Sequence, residues 1–412
     1  MDPQTALELV KHGATLLLLD VPQYTLIGID TQALLLELLE YVLQMFSSGP
    51  NFKGIKMIPP GVHFVYYSSS NREGNQFSPI IGFFVDAQPS QVIVRKWDKN
   101  EERLTKFSEE EEERYGDAVK RMEFDRQLGP YTLSAYGDWK RLSNYITKDT
   151  IERIEPIGGE ITVACEVDMI GNNPKTAMEK ALAEQLKTSK FSEPGENSQR
   201  KGCYYTPIPR LIKHRGICAE ELTSLNLDKT QLLESLLVQD YGGTEDLLLA
   251  ELQFAFIAFL MGQSLEAFMQ WKLLVSLLLG CTEAPLRTRS QLFTKFIRIV
   301  YYQLKYGFQK DHQNTAFAEK GALALLDESW LSADSFLHHL CKDFFSLVLE
   351  AQVVDGELLS WTRKLKELLE DSLGWNFQQN SAVDGMYFEG DDEFAPVVEM
   401  LDESFNDGAP VS

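Results

Sequence analysis

Residues 49–68, GPNFKGIKMIPPGVHFVYYS, constrain the fold more than any other stretch of this chain. Gly49-Pro50 opens the stretch as a turn. Residues 52–58, beginning at Phe52 and including Gly54, read as a short strand. Pro59-Pro60-Gly61 then breaks the chain sharply, because both prolines fix φ and Gly61 can take φ > 0. Residues 62–67 are β-branched and aromatic around His63, and predict a second strand. The sequence therefore specifies two strands around a rigid corner.

Strand character continues on both sides. Residues 2–12 predict a short helix ended by Gly13, 14–19 a buried strand, and 24–29 a second strand running into Gly28-Ile29-Asp30. Residues 80–85 and 91–97 are further strands, with a turn at Asp98-Lys99-Asn100. Residues 101–127 are highly charged and predict helix. Their glutamate run at 109–113 reads as a solvated face rather than an acidic docking patch. Gly129-Pro130 is a break, Trp139, Leu142 and Tyr145-Ile146 mark a packed helix, and 161–167 a closing strand. The first domain is thus β-rich and mixed, over 13–169. Residues 170–215 are polar, with Pro174, Pro194 and Gly195, and serve as a linker.

From about Leu227 the apolar period becomes helical. Asp228 can cap a helix over 229–239, and Thr244 one reaching Met261. Pro285 fits the first turn of another that reaches Tyr306. Further helices are expected at 263–279, 316–326, 332–352 and 356–373. Leu248, Leu252, Ala255, Phe256 and Phe259 place one helix deep in the core. The second domain, 216–373, is an all-α set of antiparallel helices. Residues 374–412 are acidic and flexible by composition. Within them 394–401 (Phe394, Pro396, Val397, Val398, Met400 and Leu401 among them) form a β-prone island, either plain disorder or a strand that adds to a partner's sheet. The fold class is α+β: a β-rich domain, a helical domain and a tail.

Gly28-Ile29-Asp30, the Gly49–Ser68 stretch and Gly82-Phe83-Phe84, in that order, resemble the Aar-two (a1–alpha2 repression) family, in the wording of a plant-type member. The positions that carry the resemblance are Gly28, Asp30, Gly49, Pro50, Phe52, Gly54, Pro59, Pro60, Gly61 and His63, which are expected to define the fold rather than to contact a partner. The resemblance implies an assembly factor of the spliceosomal U5 small nuclear ribonucleoprotein, present in cytoplasm and nucleus. It implies binding to the C-terminal RNase H-like and MPN-type domains of the large central scaffold protein, with the tail strand linking them. Occupancy would keep the helicase that unwinds the U4/U6 duplex, and RNA, from docking early. One departure is residues 33–44, ALLLELLEYVLQ, a helix-forming insert where the family runs almost directly from GID to GPxFxGIK. An added helix and an unusual transcript or gene-model extension both account for it, and the second is favoured.

Totals and motifs narrow the function. The chain has 412 residues, enough for two or three domains. A net charge of −22 argues against binding phosphate backbones and favours basic protein partners. Five scattered cysteines suggest no disulfide framework and a reducing compartment. No signal peptide is expected from MDPQTALELVKHG. Glu251 and Gln253 interrupt the apolar run 247–260, so it reads as a buried helix and not a membrane span. P-loop, HExxH, CxxC and EF-hand patterns are absent from the sequence, so neither metal nor cofactor is expected. Cys203, His214 and Cys218 lack zinc spacing and a fourth ligand. His338, His339 and Cys341 sit among Phe336, Phe344 and Phe345 and read as packing. His63 reads as structural, bonding the backbone of the Pro-Pro-Gly corner, because the sequence names no acid or nucleophile partner for it. A divergent hydrolase-like enzyme finds no constellation to support it. The competing reading is a generic helical adaptor with a regulatory β domain.

Overall fold

Strand β1, Ala14–Leu19, has six buried residues in succession, as a central strand covered on both faces must. The computed structural model describes residues 3–23, 25–31, 52–69, 77–163, 202–209, 226–311 and 335–377. Helix α1, Pro3–His12, precedes β1. The remaining strands are β2 Leu26–Ile29, β3 Gly54–Ile58, β4 Gly61–Ser68, β5 Ile81–Ala87, β6 Val92–Asp98, β7 Arg103–Lys106 and β8 Leu128–Pro130. They form a mixed five-stranded sheet in the order β7-β6-β1-β3-β8 and an antiparallel three-stranded sheet β2-β4-β5.

The period of two along β1 divides its side chains between two cores. Leu16 and Leu18 pack with Val65, Tyr67, Phe83 and Val85 of the three-stranded sheet. Leu17 and Leu19 pack with Val94, Leu128, Tyr115 and Val119, so α2, Glu109–Lys120, covers the outer face. Along β4 the same alternation sends Phe64 the other way. Its ring lies against Phe84 at 4.7 Å, and Phe84 stacks on Phe254 of the helical region at 4.4 Å. A Cβ on Gly82 would overlap the Phe64 ring, and one on Gly262 would meet it at 3.3 Å. The two glycines thus let the three-stranded sheet approach the helices closely.

Gly54 opens β3 at φ +136°, and a Cβ there would overlap the Leu16 carbonyl oxygen of β1. Gly54→Ala therefore meets both backbone strain and a clash at the centre of the larger sheet. The expected loss is about 3 kcal/mol, read as a shift in the urea midpoint without a change in slope.

Helices α3 Tyr136–Ser143 and α4 Lys148–Ile154 link the sheets to α5 Thr230–Gln239, α6 Glu245–Leu260, α7 Leu265–Leu279, α8 Ser290–Asp311, α9 Phe336–Glu350 and α10 Gly356–Leu373. In α6 every residue from Leu248 to Leu260 is buried, so it is the axis of the helical region. Ser264, Ser335 and Asp355 accept backbone hydrogen bonds at the starts of α7, α9 and α10, and Gly374 at φ 64° ends α10. The described residues up to Trp375 form one compact unit. Among the described residues no helix is long and apolar enough to cross a membrane.

Five local expectations change. Residues 103–106 are strand β7, not helix, because Leu104 enters the core under Tyr67, whose hydroxyl accepts the Leu104 N–H at 2.9 Å. Gly129-Pro130 ends a strand rather than only breaking the chain. Pro130 sits at the sheet edge, where its missing N–H costs nothing. Thr244 precedes α6 but its side chain makes no capping bond. Pro285 lies in a separate five-residue turn, Ala284–Thr288, and α8 starts after it. Ile161 forms only an isolated bridge with Gly82. The expected helix over 316–326, the insert 33–44 and residues 394–401 lie outside the described residues, as do all of 170–215 except 202–209.

Candidate functional site

The two motif segments meet at one point. Asp30 ends β2 at φ 55°, a backbone geometry that Asp tolerates better than most residues. Its N–H donates to the Phe64 carbonyl at 2.7 Å, and its Oδ1 accepts the Phe64 N–H at 2.9 Å. Its Oδ2 accepts the Tyr131 hydroxyl at 2.6 Å and faces His63 Nδ1 at 2.6 Å. The other ring nitrogen of His63 lies 2.6 Å from the Pro59 carbonyl oxygen. Trp139 of α3 closes the corner by donating to the Val62 carbonyl at 2.8 Å and lying nearly parallel to the imidazole at 6.4 Å.

Both nitrogens of His63 face acceptors, so both carry protons and the ring is an imidazolium. Burial pulls its pKa down. The Asp30 charge and hydrogen bond, the Pro59 carbonyl and the Asp86 charge outweigh burial and raise it above 6.5. An acid, a histidine and a tyrosine in contact form the skeleton of a proton relay. Here His63 and Asp30 are 0% exposed and Tyr131 is 1% exposed. With no free nitrogen lone pair and almost no exposed surface, the array is not placed to accept a substrate's proton. What it does is lock the Pro-Pro-Gly corner to β2 and α3.

Because the folded pKa lies above the unfolded value of about 6.5, the His63 contribution is fully present below about pH 6.5. It is lost as pH rises through the folded pKa. Urea titrations from pH 6 to 9 should show stability falling across that interval. His63→Gln should be less stable at pH 6 and should lack this component of the slope. An identical pH profile in the variant would refute the assignment.

The other motif positions have simple places. Gly28 pairs with Tyr66 across β2 and β4, and Phe52 packs against the core between the two sheets. Gly54 and Gly61 both take positive φ, Pro59 is buried and Pro60 is exposed. Gly49, Pro50 and the tail residues Phe394, Pro396, Val397, Val398, Met400 and Leu401 lie outside the described residues, as do His214 and Cys218. Cys203 is buried, with its N–H bonded to Glu266. His338 lies edge-on to Trp375 at 5.0 Å, and burial pushes the Cys341 thiol pKa up. Among the described residues no three His, Cys, Asp or Glu side chains form a metal-binding group.

Sequence reasoning missed the polar ties of α6. Glu251 accepts from Thr206 N and Oγ1, both at 2.8 Å, from Gln270 Nε2 at 2.8 Å and from the Tyr241 hydroxyl at 3.2 Å. Gln253 accepts the Tyr145 N–H at 2.8 Å and donates to Asn144 Oδ1 at 2.9 Å. A carboxylate and an amide inside an apolar helix were the available signal, since buried polar groups need partners.

The matches to known proteins follow the same division of the chain. A family model described as the AAR2 N-terminal domain matches residues 12–156, and one described as the AAR2 C-terminal repeat region matches residues 205–378. The chain belongs to the AAR2 family. A protein named "Protein AAR2 homolog" from Homo sapiens is 28% identical over 421 residues, 99% of each chain. Its namesake from Caenorhabditis elegans is 29% identical over 393 residues, covering 92% of this chain and 98% of its own. The Asp30–His63 corner falls inside the N-terminal AAR2 match. The Thr206–Glu251 tie falls inside the C-terminal one.

Proposed function

We propose that this protein is a non-catalytic assembly factor of the spliceosomal U5 small nuclear ribonucleoprotein, acting in pre-mRNA splicing. The observation that carries this reading is AAR2-family membership in both the β-rich and the helical regions. The sealed Asp30–His63 corner supports a structural rather than catalytic use of the motif residues. In the finer form of the proposal, the protein binds the RNase H-like and MPN-type domains of the large scaffold protein. Residues 394–401 add a strand to that partner, and occupancy delays helicase and RNA docking. It acts in the cytoplasm and nucleus. Phosphorylation releases it by adding charge to the interface.

Calorimetry at moderate salt tests this with a scaffold fragment carrying both domains. The full chain is compared with one ending at Gln378, because Trp375 is buried against His338 and belongs to the folded body. Tail removal is expected to weaken binding by about tenfold or more. Equal binding by both chains would favour the helical-adaptor reading instead. No binding by either would remove the proposed partner.

A further inference from the structure

Where α3, α8 and α10 meet, the surface opens into a cleft of about 440 Å³. Its aromatic walls are half-buried. Tyr301 and Tyr302 of α8 hold the Trp361 ring of α10 at 5.6 and 5.9 Å. A cation lies over each ring. Lys364 Nζ is 4.3 Å from the Trp361 centroid, Lys305 Nζ is 5.6 Å from that of Tyr301, and the Arg141 guanidinium is 5.4 Å from that of Tyr302. The cleft has one carboxylate, Asp138, and Arg141 takes it at 2.6 Å. Among the described residues no carboxylate pairs with Lys305 or Lys364. This chain has 61 acidic and 39 basic residues, so a cleft with three cations and one acid reverses the sign of the whole.

The rings hold the two ammonium groups in place but satisfy none of their three donors as a hydrogen bond. What fits is an anion beside an apolar group. We propose that this cleft binds a short peptide segment of a partner, with an anionic side chain, carboxylate or phosphoryl, between Lys305 and Lys364 and an adjacent apolar side chain on Trp361. The volume suits one or two side chains. A nucleic acid fits less well, because its backbone would leave the cleft over a surface of a chain with net charge −22. This proposal does not rest on the scaffold interaction proposed above.

Calorimetry with the full chain tests the proposal. The probes are a seven-residue peptide with acidic side chains around one phenylalanine, the same peptide carrying phosphoserine, its neutral amide counterpart, and single-stranded oligouridylate. The acidic peptide, the phosphorylated one or both should bind, less tightly as salt rises, and the amide counterpart should not. Which of the two binds tells carboxylate from phosphoryl recognition. Lys305→Gln and Lys364→Gln should each weaken binding by about tenfold, with only a small drop in melting temperature, because each lysine holds a cation–π contact but no ion pair among the described residues. Equal binding of the amide peptide, tighter binding of the oligonucleotide, unchanged affinity in both lysine variants, or no binding by any probe would each overturn the proposal.

Discussion

Asp30→Ala is expected to cost the fold about 3–5 kcal/mol, because it strands a buried imidazolium. Among the described residues the carboxylate is the only acid bonded to His63, and it also satisfies the Phe64 N–H and the Tyr131 hydroxyl. Alanine removes all three hydrogen bonds at once and must adopt a φ of 55° without a polar side chain. The surviving Pro59 carbonyl can accept from one nitrogen only, so His63 must give up its charge or the corner must open. Asp30→Asn separates charge from shape. It keeps an acceptor for the Phe64 N–H and should cost about 2 kcal/mol, while the His63 component of the pH dependence vanishes. Urea midpoints of the two variants at pH 6 and pH 8 check both statements. A small, pH-independent loss in each would mean that the array does not hold the corner.

This corner shows what could be read ahead and what could not. The two strands and the turn between them were legible, because proline, glycine and β-branched residues act locally. His63 was also readable as structural and as a partner of the corner's backbone. Its acid was not: Asp30 lies 33 residues away, across the insert, and Tyr131 lies 101 residues from Asp30. Pairing across sheets depends on register, which strand patterns alone leave open. The same limit hid β8, where a parallel partner stabilises three residues that look like a break. Strand β7 was hidden by charge. Arg103 and Lys106 dominate its composition, yet Leu104 alone anchors it. The helical region was easier, since its apolar periods are local, although Thr244 was read as a cap and the caps at Ser264, Ser335 and Asp355 were not. The tail strand stays a proposal, because its meaning depends on a partner's sheet edge.

Glu251→Ala should be the second large loss, about 3–5 kcal/mol, through a different route. The apolar run around it identified α6 as a buried helix, and the glutamate looked like a mere interruption. It is instead the acceptor that ties Thr206 to the helical core, beside Glu266, which accepts the Cys203 N–H. Thr206 offers it both an N–H and a hydroxyl, and Gln270 and Tyr241 complete the shell. Arg153 of α4 stands 3.8 Å from the same carboxylate and donates to the Thr206 hydroxyl at 2.7 Å. Burial and the Glu251 charge both push the Tyr241 hydroxyl pKa up, so it stays a donor. Truncation removes the acceptor of four buried hydrogen bonds, and the 202–209 segment keeps its bonds to Glu266, Gln270, Arg153 and Ile154. Hydrogen exchange at the Thr206 amide should then rise far more than exchange at Ala255, about one turn along the buried helix from Glu251. A cycle with Thr206→Val should show coupling of about 1–3 kcal/mol, because the two side chains share one hydrogen-bond network. Equal protection at Thr206 in the wild type and the variant would show that the segment is held by its other hydrogen bonds and its packed side chains. Glu251 would then be dispensable to the join between the β-rich and helical regions.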